Sequence, residues 1–450
     1  MRRGLVYLLY NALLPFVLLI LLPASVRKMR KRGGYGGQFW QRFGSFAAPV
    51  RARLAAPQDF WIHAVSVGEV LVARKLVAAL GRARPGLAIT LSTTTSTGHA
   101  VATEGVPENV TVIYNPIDLP WVVSRVFALV RPRHLVLVEA EVWPNLVARA
   151  RRDGVPVTLV NARMSDRSAR RYQRFRRLVG PIFGQLDRIL VQEAEDGARW
   201  RALGLPPGKV LAIGSLKFDQ ADVPAARGVE AFRELLDALW PGVPRRLLLA
   251  ASTHPGEESL IAESIRALRG DFPDLRLAIV PRHAERGEEV ACELAAAGFG
   301  VVRRSLLGER VDPVAGDVVF LIDSTGELGA WTALADLVVI GKSLCAGGGQ
   351  NPAEALALGK PVVVGPHMQN FRALTERLTA RGAVVQLTSP EDLEHALRGL
   401  LADPVAARAM AGRAAAIFES HHGANRRAAA HLLERRKNEI STCVGGRDLA

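Results

Sequence analysis

The chain has 450 residues, 49% hydrophobic and 22% charged, which excludes a disordered or fibrous protein and leaves room for two or three cores. A net charge of +15 favours anionic partners: a membrane surface, a phosphorylated substrate or nucleic acid. The cysteines, Cys292, Cys345 and Cys443, stand far apart, which argues against a disulfide framework and a cysteine metal site and fits a reducing compartment.

Residues 5–22 are almost wholly apolar, interrupted by Asn11 and Pro15. About 18 residues is the lower limit for crossing a bilayer. Arg27, Lys28, Arg30, Lys31 and Arg32 follow at once, against only Arg2 and Arg3 before. This asymmetry places the rest of the chain on the cytoplasmic side, and the basic cluster argues against a cleaved export signal. Residues 1–32 are therefore expected to anchor the chain, across the membrane or in its surface.

From 60 to 213 short apolar runs alternate with helical patterns. Strands are expected at 60–65, 88–92, 111–114, 134–138, 157–160, 189–192 and 210–213. Helices are expected near 70–80, 121–130, 145–152, 168–179 and 195–203. The alternation predicts a parallel sheet covered by helices.

Within this half, Val65-Ser66-Val67-Gly68-Glu69 leads from a strand through a glycine turn into a helix. Glu69 then sits where the helix dipole favours negative charge, the form a general base needs. The simpler reading is a carboxylate that only stabilises its helix. His63, inside the strand, reads as a core histidine. The hydroxyl-rich run Ser92-Thr93-Thr94-Thr95-Ser96-Thr97 reads as a helix cap more readily than as an acceptor site.

Glu139-Ala140-Glu141 ends another strand, with both carboxylates on one side of an extended chain. Such a pair suits a metal, a cationic transition state or a basic partner. Residues 163–177 carry seven arginines with Tyr172 and Phe175 between them. On a helix they form a basic face for anionic headgroups or a phosphorylated acceptor, with nucleic acid as the rival partner and a plain solvated face as the simpler reading. Lys217, in Gly214-Ser215-Leu216-Lys217-Phe218-Asp219, can neutralise a carboxylate or phosphate.

Residues 220–226 read as a linker. A second alternating set follows, with strands expected at 247–251, 275–280, 318–322, 337–340, 361–364 and 383–387. Helices are expected at 391–401, 404–419 and 424–436, then a patternless tail. Arg282, in Pro281-Arg282-His283, ends a strand and is placed for a phosphate. In Gly347-Gly348-Gly349-Gln350-Asn351-Pro352-Ala353-Glu354 the glycines allow close approach of a ligand, and Asn351 and Pro352 suit the start of a helix. That helix start suits a phosphate, and Glu354 in its first turn can grip two ribose hydroxyls. The simpler reading is a turn followed by a dipole-complementing glutamate. His254 and His283 read as turn caps.

Taken together, Val65-Ser66-Val67-Gly68-Glu69, Glu139-Ala140-Glu141-Val142-Trp143-Pro144-Asn145, Asn161-Ala162-Arg163, Gly214 to Asp219, Pro281-Arg282-His283, Gly326-Glu327-Leu328 and the glycine loop follow the order seen in Kdo (3-deoxy-D-manno-octulosonic acid) transferases. The resemblance runs from the N-terminal anchor to about residue 430. It implies an α/β, GT-B fold: two Rossmann-like domains facing across a cleft, with an N-terminal membrane-anchor helix. On that pattern 1–32 is the anchor with its basic flank, 33–219 the acceptor domain and 220–226 the linker. Residues 227–437 are then the donor domain with C-terminal helices, and 438–450 a tail.

The resemblance further implies CMP-Kdo as donor, the lipid A precursor (lipid IVA) as acceptor and inversion at the anomeric carbon. It implies no metal, no cofactor and no nucleic-acid partner, and it places the catalytic domains on the cytoplasmic side of the inner membrane. By motif, Glu69 is the general base, and Glu139 and Lys217 stabilise the transition state. Pro281, Arg282, Gly326, Glu327, Leu328, Asn351, Pro352, Ala353 and Glu354 bind CMP. Ala140 stands where many relatives carry Thr, and Gln350 where His is frequent; neither change removes a charged group. The competing readings are a UDP-sugar transferase or epimerase of the same fold, and a membrane-tethered anion or nucleic-acid binder without enzymatic activity.

Overall fold

The computed structural model describes residues 3–32, 36–140, 142–219, 228–242, 244–308, 311–345 and 347–444. Glu141, the linker expected at 220–226 and residues 445–450 lie outside the described residues. The chain divides into two compact units, 1–219 with 423–450, and 220–422.

The first unit is built on β1 (Phe60–Ala64), β2 (Ile89–Thr93), β3 (Val110–Tyr114), β4 (Leu135–Val138), β5 (Val157–Ala162), β6 (Arg188–Val191) and β7 (Val210–Ala212). They form one parallel sheet in the order β3-β2-β1-β4-β5-β6-β7. Apolar clusters cover both of its faces, so the strands are near-continuous Val, Ile and Leu runs with no polar alternation. The strand order reverses between β1 and β4. In open parallel sheets, ligands bind beyond the carboxyl ends of the strands at that reversal.

The second unit repeats the plan with β8 (Arg246–Thr253), β9 (Leu275–Pro281), β10 (Gly300–Arg303), β11 (Val318–Leu321), β12 (Leu337–Ile340), β13 (Val362–Val364) and β14 (Val385–Gln386). The order is β10-β11-β9-β8-β12-β13-β14, again parallel, with the reversal between β8 and β12. The two chain segments leaving those strands come so close that a Cβ at Gly341 would stand 2.3 Å from the Ser252 carbonyl oxygen. Only glycine fits there.

Every expected strand is present to within a residue or two. β10 was not expected, because it is an edge strand of Gly, two Val and Arg that is half-exposed and carries no apolar run. The domain boundary is also corrected. The last helix, Ala424–Val444, belongs to the first unit, where Ala424, Ala428, Ala429 and Leu432 pack under the Val67–Ala83 helix. It runs on through 438–444, so the expected tail is helical up to Val444. The 168–179 helix is two, Asp166–Arg174 and Arg176–Phe183, meeting at Phe175. All seven arginines of 163–177 are exposed.

The N-terminal apolar run lies within a helix, Arg3–Arg32. Among the described residues no helix is long and apolar enough to cross a membrane. One polar stripe, Tyr7, Tyr10 and Asn11, pins this helix to the first unit through hydrogen bonds. Leu8, Leu13, Phe16, Leu19 and Ile20 remain at least 60% exposed.

Candidate active site

The carboxyl ends of β1 and β4 carry the first group of candidate residues. Ser66 caps the Val67–Ala83 helix, and Glu69 completes the cap from three residues on. Glu69 Oε2 accepts the Val65 N–H at 2.9 Å, and Oε1 accepts the Ser66 hydroxyl at 2.8 Å. The simple capping role is therefore real. It also aims the carboxylate rigidly, and each oxygen keeps a second lone pair for a further donor. Glu69 is 8% exposed.

Glu139 leaves β4 in the left-handed region, with φ of 62°. A non-glycine residue there stores strain of about 1–3 kcal/mol and needs its surroundings to hold it. Its N–H donates to the Val160 carbonyl at 2.9 Å, the last tie to β5. Burial pushes the Glu139 carboxyl above the usual carboxylate range, and the negative charge of Glu69 adds to the shift. The cations Lys217 and Arg163 pull the other way. Lys217 is itself shifted down by crowding from the protein around its ammonium, against the pull of Glu139 and with the push of Arg163, although its side chain reaches solvent. Thus Glu69 from the first turn of a helix, and Glu139, Lys217 and Arg163 from three loops, share one electrostatic field. Opposed charges grouped in this way are a common feature of functional sites.

The Lys217 loop is held by residues whose part in this site was not read from the sequence. Asn161, at φ of 54° and fully buried, accepts the Leu216 N–H at 3.0 Å through Oδ1. Asn425, on the last helix, donates to the Leu216 carbonyl at 3.1 Å, and Lys75 Nζ donates to the Lys217 carbonyl at 2.9 Å. Asp219 accepts the Gly423 and Asn425 N–H groups, which seats the last helix on the loop. Asn161 and Asp219 belong to motifs quoted above; Lys75 and Asn425 have no local signal. We expect Asn161→Ala to lower stability by about 1–3 kcal/mol, because the buried Leu216 N–H loses its acceptor, with thermal unfolding as the check.

His63 is buried and shifted down to about 4 by burial, so it is neutral, with Nδ1 3.0 Å from Ser92 Oγ. It is a core histidine, as expected. Thr95 caps the Ser96–Thr103 helix, also as expected.

In the second unit Pro281 ends β9, buried, and Arg282 projects into solvent beside it. Gly326, at φ of 83°, turns the chain into the Leu328–Leu334 helix. Glu327 is engaged inside the protein: it accepts from Ser324 at 2.7 Å and from Trp331 at 3.2 Å, and it pairs with Arg304 at 3.3 Å. Glu354 contrasts with it. Among the described residues its carboxylate has no partner, and burial alone pushes it above the usual carboxylate range. A Cβ on Gly329 would stand 2.7 Å from Glu354 Oε1, so the glycine makes the space the carboxylate occupies.

The glycine loop needs correction in two respects. The helix after it spans only Ala353–Ala357, with Pro352 at its N-cap and Asn351 one residue earlier, accepting the Ala353 N–H at 3.2 Å. A helix of little more than one turn has a weak dipole, so it adds little to anion binding. Further, the loop amides are already used. Gly348 N–H donates to Gln369, Gly349 N–H to the Lys342 carbonyl and Gln350 N–H to the Gly341 carbonyl. Gly348 and Gly349 are required by φ of 122° and 72° and by Asn370 and Met368 packed against them. In the neighbouring turn Glu257, fully buried, accepts the N–H groups of His254, Lys342, Ser343 and Leu344, which ties the β8 and β12 ends together. His254 lies 3.1 Å from the Gln350 amide and is shifted down, chiefly by burial.

The sequence family described as 3-deoxy-D-manno-octulosonic-acid transferase (kdotransferase) matches residues 37–220. The 3-deoxy-D-manno-octulosonic acid transferase of Bordetella pertussis is 38% identical, over 95% of this chain and 98% of that protein. The Haemophilus influenzae transferase of the same name is 35% identical over 86% of this chain and 88% of its own. Among solved structures, UDP-GlcNAc 2-epimerase from Neisseria meningitidis bound to UDP-GlcNAc superposes with a TM-score of 0.52. It covers 84% of this chain and 99% of that one at 13% identity, a likeness of fold alone. The two parallel α/β units and this neighbour make the fold GT-B.

Proposed function

This chain belongs to the 3-deoxy-D-manno-octulosonic-acid transferase family, and from that premise we propose that it moves Kdo from CMP-Kdo to the lipid A precursor lipid IVA, with inversion. It is a glycosyltransferase. The observation that carries the proposed mechanism is the grouping around Glu139 of one carboxylate, Glu69, and two cations, Lys217 and Arg163, from separate segments of the chain. Glu69 takes the proton of the acceptor hydroxyl as that oxygen attacks the anomeric carbon, and CMP departs from the opposite face. Positive charge develops on the sugar ring, and Glu139 answers it as a carboxylate does in glycosidases. Lys217 offsets the carboxylate of Kdo, and Arg282 the departing phosphate.

On the second unit, Glu354, whose carboxylate has no partner among the described residues, receives the two ribose hydroxyls of CMP. Pro281, Gly326, Leu328, Asn351, Pro352 and Ala353 frame the nucleotide, and Glu327 stiffens that frame through Arg304, Ser324 and Trp331. The acceptor is an amphipathic phosphoglycolipid, which calls for a membrane surface. The Arg3–Arg32 helix, pinned by its polar stripe, lies along the cytoplasmic face of the inner membrane with its exposed apolar side in the lipid. The Arg176–Phe183 helix packs beside it, so the basic face meets anionic headgroups. Mass spectrometry of lipid IVA after incubation with CMP-Kdo and the purified protein tests the proposal. Adducts of one or more Kdo masses are expected; a lipid left unmodified by CMP-Kdo, or modified only when a UDP-sugar replaces it, would overturn the proposal.

A further inference from the structure

The three polar residues that pin the N-terminal helix all reach one place. Tyr7 donates to the Pro144 carbonyl at 3.1 Å, Tyr10 donates to Asp118 Oδ2 at 2.9 Å, and Asn11 Oδ1 accepts from Asn145 Nδ2 at 2.7 Å. That place is the start of the Pro144–Arg152 helix, whose own N-cap, Trp143, offers no side-chain acceptor. Asp118 supplies the cap from another loop. It is 3% exposed, and it accepts the Asn145 and Leu146 N–H groups at 2.9 Å each. Asn145 Nδ2 also donates to the Asp118 carbonyl.

This capped turn is the downstream anchor of the segment that carries Glu139. The upstream anchor is the Glu139 N–H bond to β5. Between the two anchors Glu139 keeps a left-handed backbone that it would not adopt unaided. Apolar packing contributes little to seating the first turns of the N-terminal helix: Leu5, Leu8, Leu9 and Leu13 are all at least 43% exposed, and only Val6 among their neighbours is buried. The polar contacts therefore hold it; Tyr7 also accepts from Gln185 at 2.5 Å, and the others end on the Pro144–Asn145 turn or on Asp118, which caps it.

We propose that Tyr10 and Asn11, through Asp118 and Asn145, are positioning residues that hold the Glu139 segment, so that seating of the N-terminal helix sets the rate of sugar transfer. This rests on the Kdo-transferase mechanism proposed above.

The test uses the full chain with phospholipid vesicles carrying lipid IVA, and the variants Tyr10→Phe and Tyr10→Phe/Asn11→Ala. The double variant should lower kcat about tenfold while KM for CMP-Kdo stays within twofold and vesicle flotation is unchanged, since the exposed apolar side chains remain. The single variant should fall between, having lost one hydroxyl only. Hydrogen exchange over 139–146 should quicken in the same order. Leu8→Gln/Leu13→Gln, on the exposed side, should weaken flotation yet leave kcat near normal at saturating vesicles. A double variant with kcat within twofold of the parent, or with unchanged exchange over 139–146, would overturn the latch. Absence of transfer by the parent protein would sink the proposed function instead, and the exchange measurement would still decide whether the latch holds the segment.

Discussion

Glu69→Gln is expected to lower kcat by about 10²–10⁴-fold, the usual worth of a positioned proton acceptor. Affinity for CMP-Kdo, measured by calorimetry, should change little, because the proposed nucleotide groups belong to the second unit. The substitution is chosen for its small structural footprint. Glutamine keeps one carbonyl oxygen for the Val65 N–H or the Ser66 hydroxyl, so the helix cap survives in part. Alanine would remove both contacts and add a capping loss of about 1 kcal/mol, which would confuse an unfolding defect with a chemical one. The structure sharpens this prediction, since Glu69 does serve as a cap. A variant that folds with the parent's melting temperature and turns over at near-normal rate would show that capping is its whole role.

Lys217→Met should lower kcat by about 10²–10³-fold, the typical effect of removing one preorganised charge from a transition state. It should also displace the pH profile, and the sign follows from the field at Glu139. Lys217 favours the ionised carboxylate, whereas burial and the charge of Glu69 oppose it. Without the cation the Glu139 carboxyl moves further up, so a smaller fraction is ionised at a given pH. The acidic limb of kcat against pH should therefore shift to higher pH in the variant. Part of the lost rate should return as pH rises. A limb that stays in place, or moves down, would mean that Glu139 and Lys217 do not act together.

Much of this molecule was legible in its residues. A parallel strand buried on both faces must be a continuous apolar run, so the strands declared themselves; the half-exposed edge strand Gly300–Arg303, lacking such a run, did not. Caps are local, so Ser66 with Glu69 could be read from a spacing of three. The motif order pointed to the family, and 35–38% identity over most of the chain agrees. What local pattern could not carry was partnership across long stretches of chain. The return of β4 to lie beside β1 brings Glu139 to Glu69. Asn161 and Asn425 brace the Lys217 loop from 55 and 209 residues away along the chain. The glycine loop, read as an open cradle for phosphate, has its amides occupied by its own neighbours. The apolar N-terminal run, read as an anchor, turns out to be pinned by Tyr7, Tyr10 and Asn11. The physical reason is common to all four. Periodicity and capping record how a segment meets water and its own backbone, whereas the hydrogen-bond partner of a buried polar group is settled only when distant segments are folded against each other.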